Sequence, residues 1–303
     1  SFPRRTITVQ TTRDVCTPGD HFLETDKDNV FMAMKWAKVD KMMFYNRQQV
    51  TFEYETDWGL RTVVSGKREE NECAGNWTFD DLKTTELRTT LRFAPGETYI
   101  NNKLRRRVVN LDAPVFSLTY AHGFDGLLDG QYDYNFTELS IFKRVWLNNW
   151  GKVDVSLKGG VQWNEVPLLL LIHPASNLSY FNQPQTFNLI NNMEFINDRY
   201  ASLMLTWDMN GRLLNRVPLV KRWHWREFMA VRTLWGTLSE KNKDAVLPEG
   251  SYVMDSKKPY VEVMVGIHNI FKFFNVEYVR RLNYNDLPTS PKWGMRYSLS
   301  LTF

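Results

Sequence analysis

The five histidines and two cysteines are the residues of this chain best suited to catalysis or metal binding. His21, His122, His173, His224 and His268 are widely separated. They form no HExxH pair and no close His–His spacing, and Cys16 and Cys73 form no paired-cysteine spacing, so no metal site is expected. No glycine-rich phosphate loop, GxSxG elbow or CxxC motif occurs either. His122 near Asp125 and His21 near Asp20 are the close His–acid pairs. A hydrolytic pair needs a third, orienting group, so both are read as ordinary polar loops. No catalytic residue and no cofactor is expected. One group of cations is dense enough to hold phosphate, Lys103 with Arg105, Arg106 and Arg107, since arginine pairs with phosphate oxygens two at a time.

Composition limits what could surround these residues. The chain has 303 residues, 38 basic and 34 acidic, with a net charge of +4, too even to predict a nucleic-acid partner. With 24% charged and 43% hydrophobic residues it is neither disordered nor collagen-like. Two cysteines cannot build a disulfide framework. The longest apolar run extends only from Val166 to Ile172, whereas a membrane-spanning helix needs about 20 residues. Aromatic residues reach 14%, an excess that membrane-interface girdles would consume.

The dominant pattern is a period of two. Trp293, Met295, Tyr297, Leu299, Leu301 and Phe303 alternate with Gly294, Arg296, Ser298, Ser300 and Thr302, which gives a strand one apolar and one polar face. Val153, Val155 and Leu157 alternate in the same way with Lys152, Asp154, Ser156 and Lys158, and Leu203, Leu205 and Trp207 with Ser202, Thr206 and Asp208. About 14 strands are predicted, near 6–14, 31–38, 42–57, 60–68, 84–93, 113–121, 131–146, 151–163, 187–195, 200–208, 226–236, 259–267, 273–283 and 292–303. The polar faces carry full charges: Lys152, Asp154, Lys158, Asp208, Glu262, Glu277 and Arg296. A soluble sheet would bury its apolar face. A membrane barrel turns that face to lipid and the charges to its lumen. The predicted fold is therefore all-β, a transmembrane antiparallel β-barrel forming a single domain over 1–303, with the seven charged residues facing the lumen. Mixed charge without a ring of one sign favours a salt-bridged, filled lumen over a selectivity lining.

The final strand also resembles the terminal assembly signal of bacterial outer-membrane proteins, which assigns that role to Phe303, Tyr297 and Trp293. With Phe303 at the periplasmic face, the strand count puts loops 15–30, 94–112, 238–258 and 284–291 at the cell surface. Connections 69–83, 122–130, 164–186 and 209–225 become periplasmic, and Cys16 and Cys73 fall at opposite ends. The basic group 103–107 would then lie in a surface loop, able to touch lipopolysaccharide. Arg212, Arg216, Lys221 and Arg222 beside Trp223 and Trp225 fit an interfacial anchor. Val166, Leu168, Leu169, Leu170, Leu171 and Ile172 form an apolar stretch on a connection, read either as a contact for a partner or as a short plug in the barrel mouth.

Several blocks, among them Lys38–Tyr45, Phe93–Thr98, Asn110–Val115, Asn188–Phe195, Asn197–Ser202, Leu234–Ser239, Val265–Phe271, Arg280–Asn283 and Lys292–Gly294, resemble a Bacteroidota outer-membrane family of unknown function. In its longer members a carboxypeptidase-regulatory-like domain precedes a C-terminal barrel. The resemblance implies that a periplasmic N-terminal part, and with it the first strands of the barrel, lies outside this chain. A more distant similarity, carried by Val261–Ile267, Asn275–Leu282 and Gly211–Leu219, is to the BamA-like assembly superfamily, whose barrels have 16 strands. Its luminal Arg-Gly-Phe/Tyr motif is lacking here; His122-Gly123-Phe124 comes nearest, without the arginine. The expected function is that of a non-enzymatic, multi-pass outer-membrane barrel. It would be a scaffold or accessory subunit of an assembly, secretion or surface-export complex, with membrane lipid and other envelope proteins as partners. A passive solute channel is the alternative.

Overall fold

The computed structural model describes residues 3–18, 34–37, 39, 41–75, 77, 79–101, 106–243, 245 and 247–300. The chain opens with β1 (Arg4–Cys16), β2 (Lys41–Glu55), β3 (Leu60–Gly75) and β4 (Leu82–Phe93), followed by a short hairpin, β5 (Tyr99–Asn101) and β6 (Arg106–Val108). It continues through β7 (Val115–Gly123), β8 (Tyr134–Trp146), β9 (Lys152–Gln162) and β10 (Arg199–Asp208). A one-turn helix, α1 (Pro218–Lys221), leads to β11 (Arg226–Thr237), β12 (Tyr260–Ile270), β13 (Phe274–Arg281) and β14 (Trp293–Leu299). Apart from the hairpin, every strand pairs antiparallel with the next, in one 12-stranded sheet ordered β1-β2-β3-β4-β7-β8-β9-β10-β11-β12-β13-β14.

Register carries the alternation from strand to strand. Lys152 lies opposite Asp208, Asp154 opposite Thr206 and Lys158 opposite Ser202. Met204 then faces Arg232, Arg232 faces Glu262, and Glu262 faces Arg281. Glu277 is opposite Arg296. All seven charged residues expected in the lumen therefore share the inner face. The outer face is apolar and open: Ile7, Val9, Val50, Leu91, Leu118, Leu139, Leu157, Val231 and Val265 are exposed, as lipid-facing residues must be. Exposed aromatics gather near both ends, Trp58, Trp150 and Phe271 at one, Tyr120, Trp163, Trp235 and Trp293 at the other.

Two expected strands are not found among the described residues. The 187–195 stretch alternates in sequence but lies inside the curved sheet, with Asn188, Leu189, Ile190, Glu194 and Phe195 all buried. Between isolated bridges at its ends, Phe187 to Ser176 and Phe195 to Tyr252, the backbone groups of Asn188 and Leu189 bond to wall side chains of Glu262, Arg281 and Arg296 in place of a strand partner. Of 31–38, the described residues show an isolated bridge, Lys35 to Ser179, and a bond from the Trp36 amide to the Leu178 carbonyl; the rest lies outside the described residues.

Removing these two crossings changes the parity of the loops. Connections 17–40, 76–81, 124–133, 163–198, 238–259 and 282–292 share one end, here the loop end. Connections 56–59, 94–114, 147–151, 209–225 and 271–273 share the other, the turn end, toward which β14 runs. The expected surface loop 94–112 thus lies at the turn end, and 69–83, 122–130 and 164–186 move to the loop end. Cys16 and Cys73 also come together at one end: each is paired with Met43, on opposite sides of β2. Two ladder spacings separate them, about 10 Å, too far for a disulfide, so their separation across the sheet and not along the barrel prevents a bridge.

A luminal segment on a charged wall

Between β9 and β10 the chain turns inward, and residues 163–198 cross the concave face of the sheet. The segment is closed on itself. Ile172 and Asn197 exchange backbone bonds of 2.8 and 3.1 Å, the Asn177 amide donates to the Phe187 carbonyl at 2.7 Å, and the Phe187 amide donates to the Ala175 carbonyl at 2.8 Å. Such a compact loop with joined ends keeps its shape through its own contacts. Its apolar residues reach every sector of the wall. Leu169 packs with Cys16, Met43, Tyr45 and Leu82, and Ile172 with Ala121 and Phe136. Leu189 meets Phe228, Ala230, Met264 and Val279, while Phe187, Ile190 and Phe195 meet Leu234 and Tyr260.

The apolar stretch Val166–Ile172 is therefore not an outward patch. Val166, Leu169, Leu171 and Ile172 are buried, and Leu168 and Leu170 half-buried, which corrects the partner-contact reading and leaves the plug. Burial inside the sheet satisfies the same apolar surface that would otherwise need a partner or lipid.

Polar groups of the segment meet three acids and three arginines, all nearly inaccessible: Glu194, Glu262 and Glu277 with Arg232, Arg281 and Arg296. Glu262 accepts from the amides of Asn188 at 2.9 Å and Leu189 at 3.1 Å, and from the Tyr260 hydroxyl at 2.8 Å. Arg281 donates to Glu194 at 2.6 Å and to the Leu189 carbonyl at 3.2 Å. Arg232 donates to the Thr186 carbonyl and Arg296 to that of Asn188. Asn182 donates to Glu277 at 2.6 Å, and His268 Nε2 lies 3.0 Å from the same carboxylate. Each buried charge would cost several kcal/mol if unpaired, so equal numbers of both signs are a condition for filling this space. At the loop end Tyr284 covers Phe195, with ring centres 5.2 Å apart. Burial holds its phenol above the ordinary value, so it stays protonated and donates to the Lys258 carbonyl at 2.6 Å.

A second charged cluster lines β2–β4. Glu86 takes Arg88 at 2.9 Å, Lys67 at 3.8 Å and the Tyr134 hydroxyl at 2.7 Å, while Glu69 takes Arg47 at 2.5 Å. Lys67, Glu69, Glu86, Arg88 and Tyr134 border, with Leu169 and Leu170, a cavity of about 70 Å³.

The lumen-facing residues read from sequence divide into two groups. Glu262, Glu277 and Arg296 hold the luminal segment. Asp154 instead pairs with Arg144 at 2.6 Å, Lys158 lies 4.0 Å from Glu138, and Lys152 and Asp208 are half-buried neighbours near the turn end. Sequence reading passed over Arg232 and Arg281. Arg281 stands in the polar phase of β13 with Asn275 and Glu277, a signal the sequence does carry, whereas Arg232 shares its phase with Phe228, Ala230 and Leu234 and has none. Glu194 had no such signal, since its carboxylate is placed by the folding of the segment.

The remaining candidates are dispersed. Trp293 is exposed on the outer face of β14, and Tyr297 stacks on Phe274 at 5.8 Å; Phe303 lies outside the described residues. Lys103 and Arg105 also lie outside them. Arg106 and the exposed Arg107 belong to the β5–β6 hairpin, which is at the turn end with the final strand's exit. A surface lipopolysaccharide contact there and a periplasmic Phe303 are therefore two expectations that do not hold together. His122 Nδ1 is 2.9 Å from Asn135 Oδ1 and 3.9 Å from Asp133, not paired with Asp125; His21 lies outside the described residues. Among the described residues no three His, Cys, Asp or Glu are grouped to hold a metal.

An antiparallel meander with an apolar outer wall, a charged inner wall and its own chain in the lumen has the architecture of an outer-membrane β-barrel. The chain belongs to the family of unknown function DUF5686, whose C-terminal domain matches residues 41–267. At the level of sequence no curated protein matches it. Among solved structures it is similar to CdiB from Acinetobacter baumannii, with a TM-score of 0.51 at 13% identity over 86% of this chain. It is likewise similar to BamA from Haemophilus ducreyi lacking POTRA domains 1–3, with a TM-score of 0.53 at 9% identity, again over 86% of this chain. The chain spans 42% of the first structure and 55% of the second, and the likeness is one of fold.

Proposed function

We propose that this barrel sits in a bacterial outer membrane as a multi-pass, non-enzymatic scaffold or accessory subunit of an envelope assembly, secretion or surface-export complex. The observation that carries the reading is the luminal segment 163–198, tied to the wall by Glu194, Glu262, Glu277, Arg232, Arg281 and Arg296. A lumen occupied by its own chain stiffens the wall and leaves the loops and outer surface for contact with other envelope proteins. Fold likeness to CdiB and BamA supports the same class of role. Full-length protein gently solubilised from native outer membranes should retain a partner in stoichiometric amount, identified by mass spectrometry of a pull-down. Recovery as a lone monomer would overturn the subunit reading.

A passive channel is the rival, favoured by an open cleft of about 840 Å³ at the loop end, lined by Trp77, Phe79, Tyr132 and Lys241 and floored by Val166–Leu168. Planar-bilayer recordings decide it: conductance from the intact protein would support the channel, and silence would remove it.

A further inference from the structure

The connection between β10 and β11 is strongly basic. From Met209 to Arg226 it holds Arg212, Arg216, Lys221, Arg222 and Arg226 and not one acidic residue. Leu213, Val217, Leu219 and Trp223 are exposed beside these cations, Leu219 at 73%. An isolated apolar residue on a surface needs no explanation, but several of them alternating with cations at a membrane-facing rim do.

The connection lies against the outside of the wall. Glu227 is outward-facing by register, opposite Ile267, and it accepts the Leu214 amide. Arg212 lies over the Trp150 ring at 5.6 Å. Trp150 in turn is 6.1 Å from outward-facing Trp207, whose indole donates to the Trp150 carbonyl at 2.9 Å. The Trp223 and Trp225 rings lie tilted with centres 4.7 Å apart, and the Asn269 amide donates to the His224 carbonyl at 2.7 Å, next to exposed Phe271 and Phe273. The nearby acids do not neutralise the patch: Glu227 is engaged with Leu214, and Asp208 belongs to the inner face beside Lys152. Gly151 permits this close packing. Its φ of +77° and a Cβ position 1.9 Å from the Asp208 carbonyl leave no room for a side chain.

We infer that the 209–226 connection is a lipid-binding rim that recognises the anionic headgroups of glycerophospholipids in the leaflet at the turn end. Tryptophan sits at headgroup depth, exposed Leu219 and Val217 enter the acyl boundary, and the cations face the phosphates. This rests on the membrane-barrel reading, and selectivity between lipids is measured only on protein already folded in detergent, so the two readings fail separately.

Purified full-length protein in neutral detergent is titrated with phosphatidylglycerol, phosphatidylcholine and lipid A, and retained lipid is counted by native mass spectrometry. Wild type should hold phosphatidylglycerol about tenfold more tightly than phosphatidylcholine, with the preference shrinking as salt is raised. The quadruple variant R212Q/R216Q/K221Q/R222Q should bring the two lipids to within about twofold. If that variant does not fold, the salt dependence of the wild type serves as the readout. Equal retention in wild type, a preference that is insensitive to salt, or one that survives the quadruple change overturns the inference. Tighter retention of lipid A than of phosphatidylglycerol overturns the assigned leaflet and lipid class.

Discussion

Glu194 and Arg281 are 87 residues apart in sequence and 2.6 Å apart in space, and neither side chain is exposed to solvent. One belongs to the luminal segment and the other to β13, so their pairing joins plug to wall. The Ser290 hydroxyl and Asn191 amide donate to Glu194, and Arg281 donates to the Leu189 and Asn283 carbonyls, which leaves neither charge isolated.

Breaking this pair from one side should be severe. Arg281→Met is expected to cost about 3–5 kcal/mol because it strands a buried carboxylate. The double variant Glu194→Leu/Arg281→Met should recover much of that loss, since it removes both charges together. Thermal unfolding followed by the gel-mobility shift of the folded barrel measures both. A double variant as damaged as the sum of the singles would contradict the coupling.

Loosening the segment should open the lumen. Glu262 holds two backbone amides and the Tyr260 hydroxyl, so Glu262→Ala removes three anchors at once. Ion current through single barrels in a planar bilayer should rise well above the wild-type level. Unchanged current would mean that the segment stays in place without this carboxylate.

The two faces of the sheet should differ in their tolerance of charge. Arginine at Leu157 or Leu203 faces lipid and is expected to cost about 2–4 kcal/mol near the midplane. Ser156→Arg, on the inner face, should be mild. Ser202 is also inward but buried beside Ile172 and His173, so Ser202→Arg should be disruptive through overpacking. Unfolding free energies of the four variants in detergent or lipid test the ranking.

The last residue is expected to act in delivery more than in stability. Deleting Phe303 should reduce the fraction of protein inserted into the membrane by several-fold and leave the melting behaviour of the inserted fraction close to wild type. Equal insertion of truncated and intact protein would remove the assembly-signal reading of Phe303, Tyr297 and Trp293.

Much of the wall was legible from the residues alone because side-chain direction in a strand depends only on position along it. Lys152, Asp154, Lys158, Asp208, Glu262, Glu277 and Arg296 fall on the inner face as the alternation predicts, and Leu157, Leu203 and Val265 on the outer. Twelve of the expected strands occur in the sheet. The short β5–β6 hairpin gave too little alternation to be seen. The 187–195 stretch gave too much, since a segment enclosed by a mixed wall also alternates between apolar and polar neighbours.

Period two is a local property, so the sequence by itself determined that this chain forms an antiparallel sheet with a lipid-like outer face and a charged inner one. The tertiary structure alone decided how many times the chain crosses, which loops share an end, and that Val166–Ile172 fills the lumen and is not on the surface. Each of these depends on pairings between residues far apart in the chain, such as Glu194 with Arg281 and Asn188 with Glu262. Such partners are chosen by the energetic need to neutralise every charge taken out of water, and no local spacing records that choice.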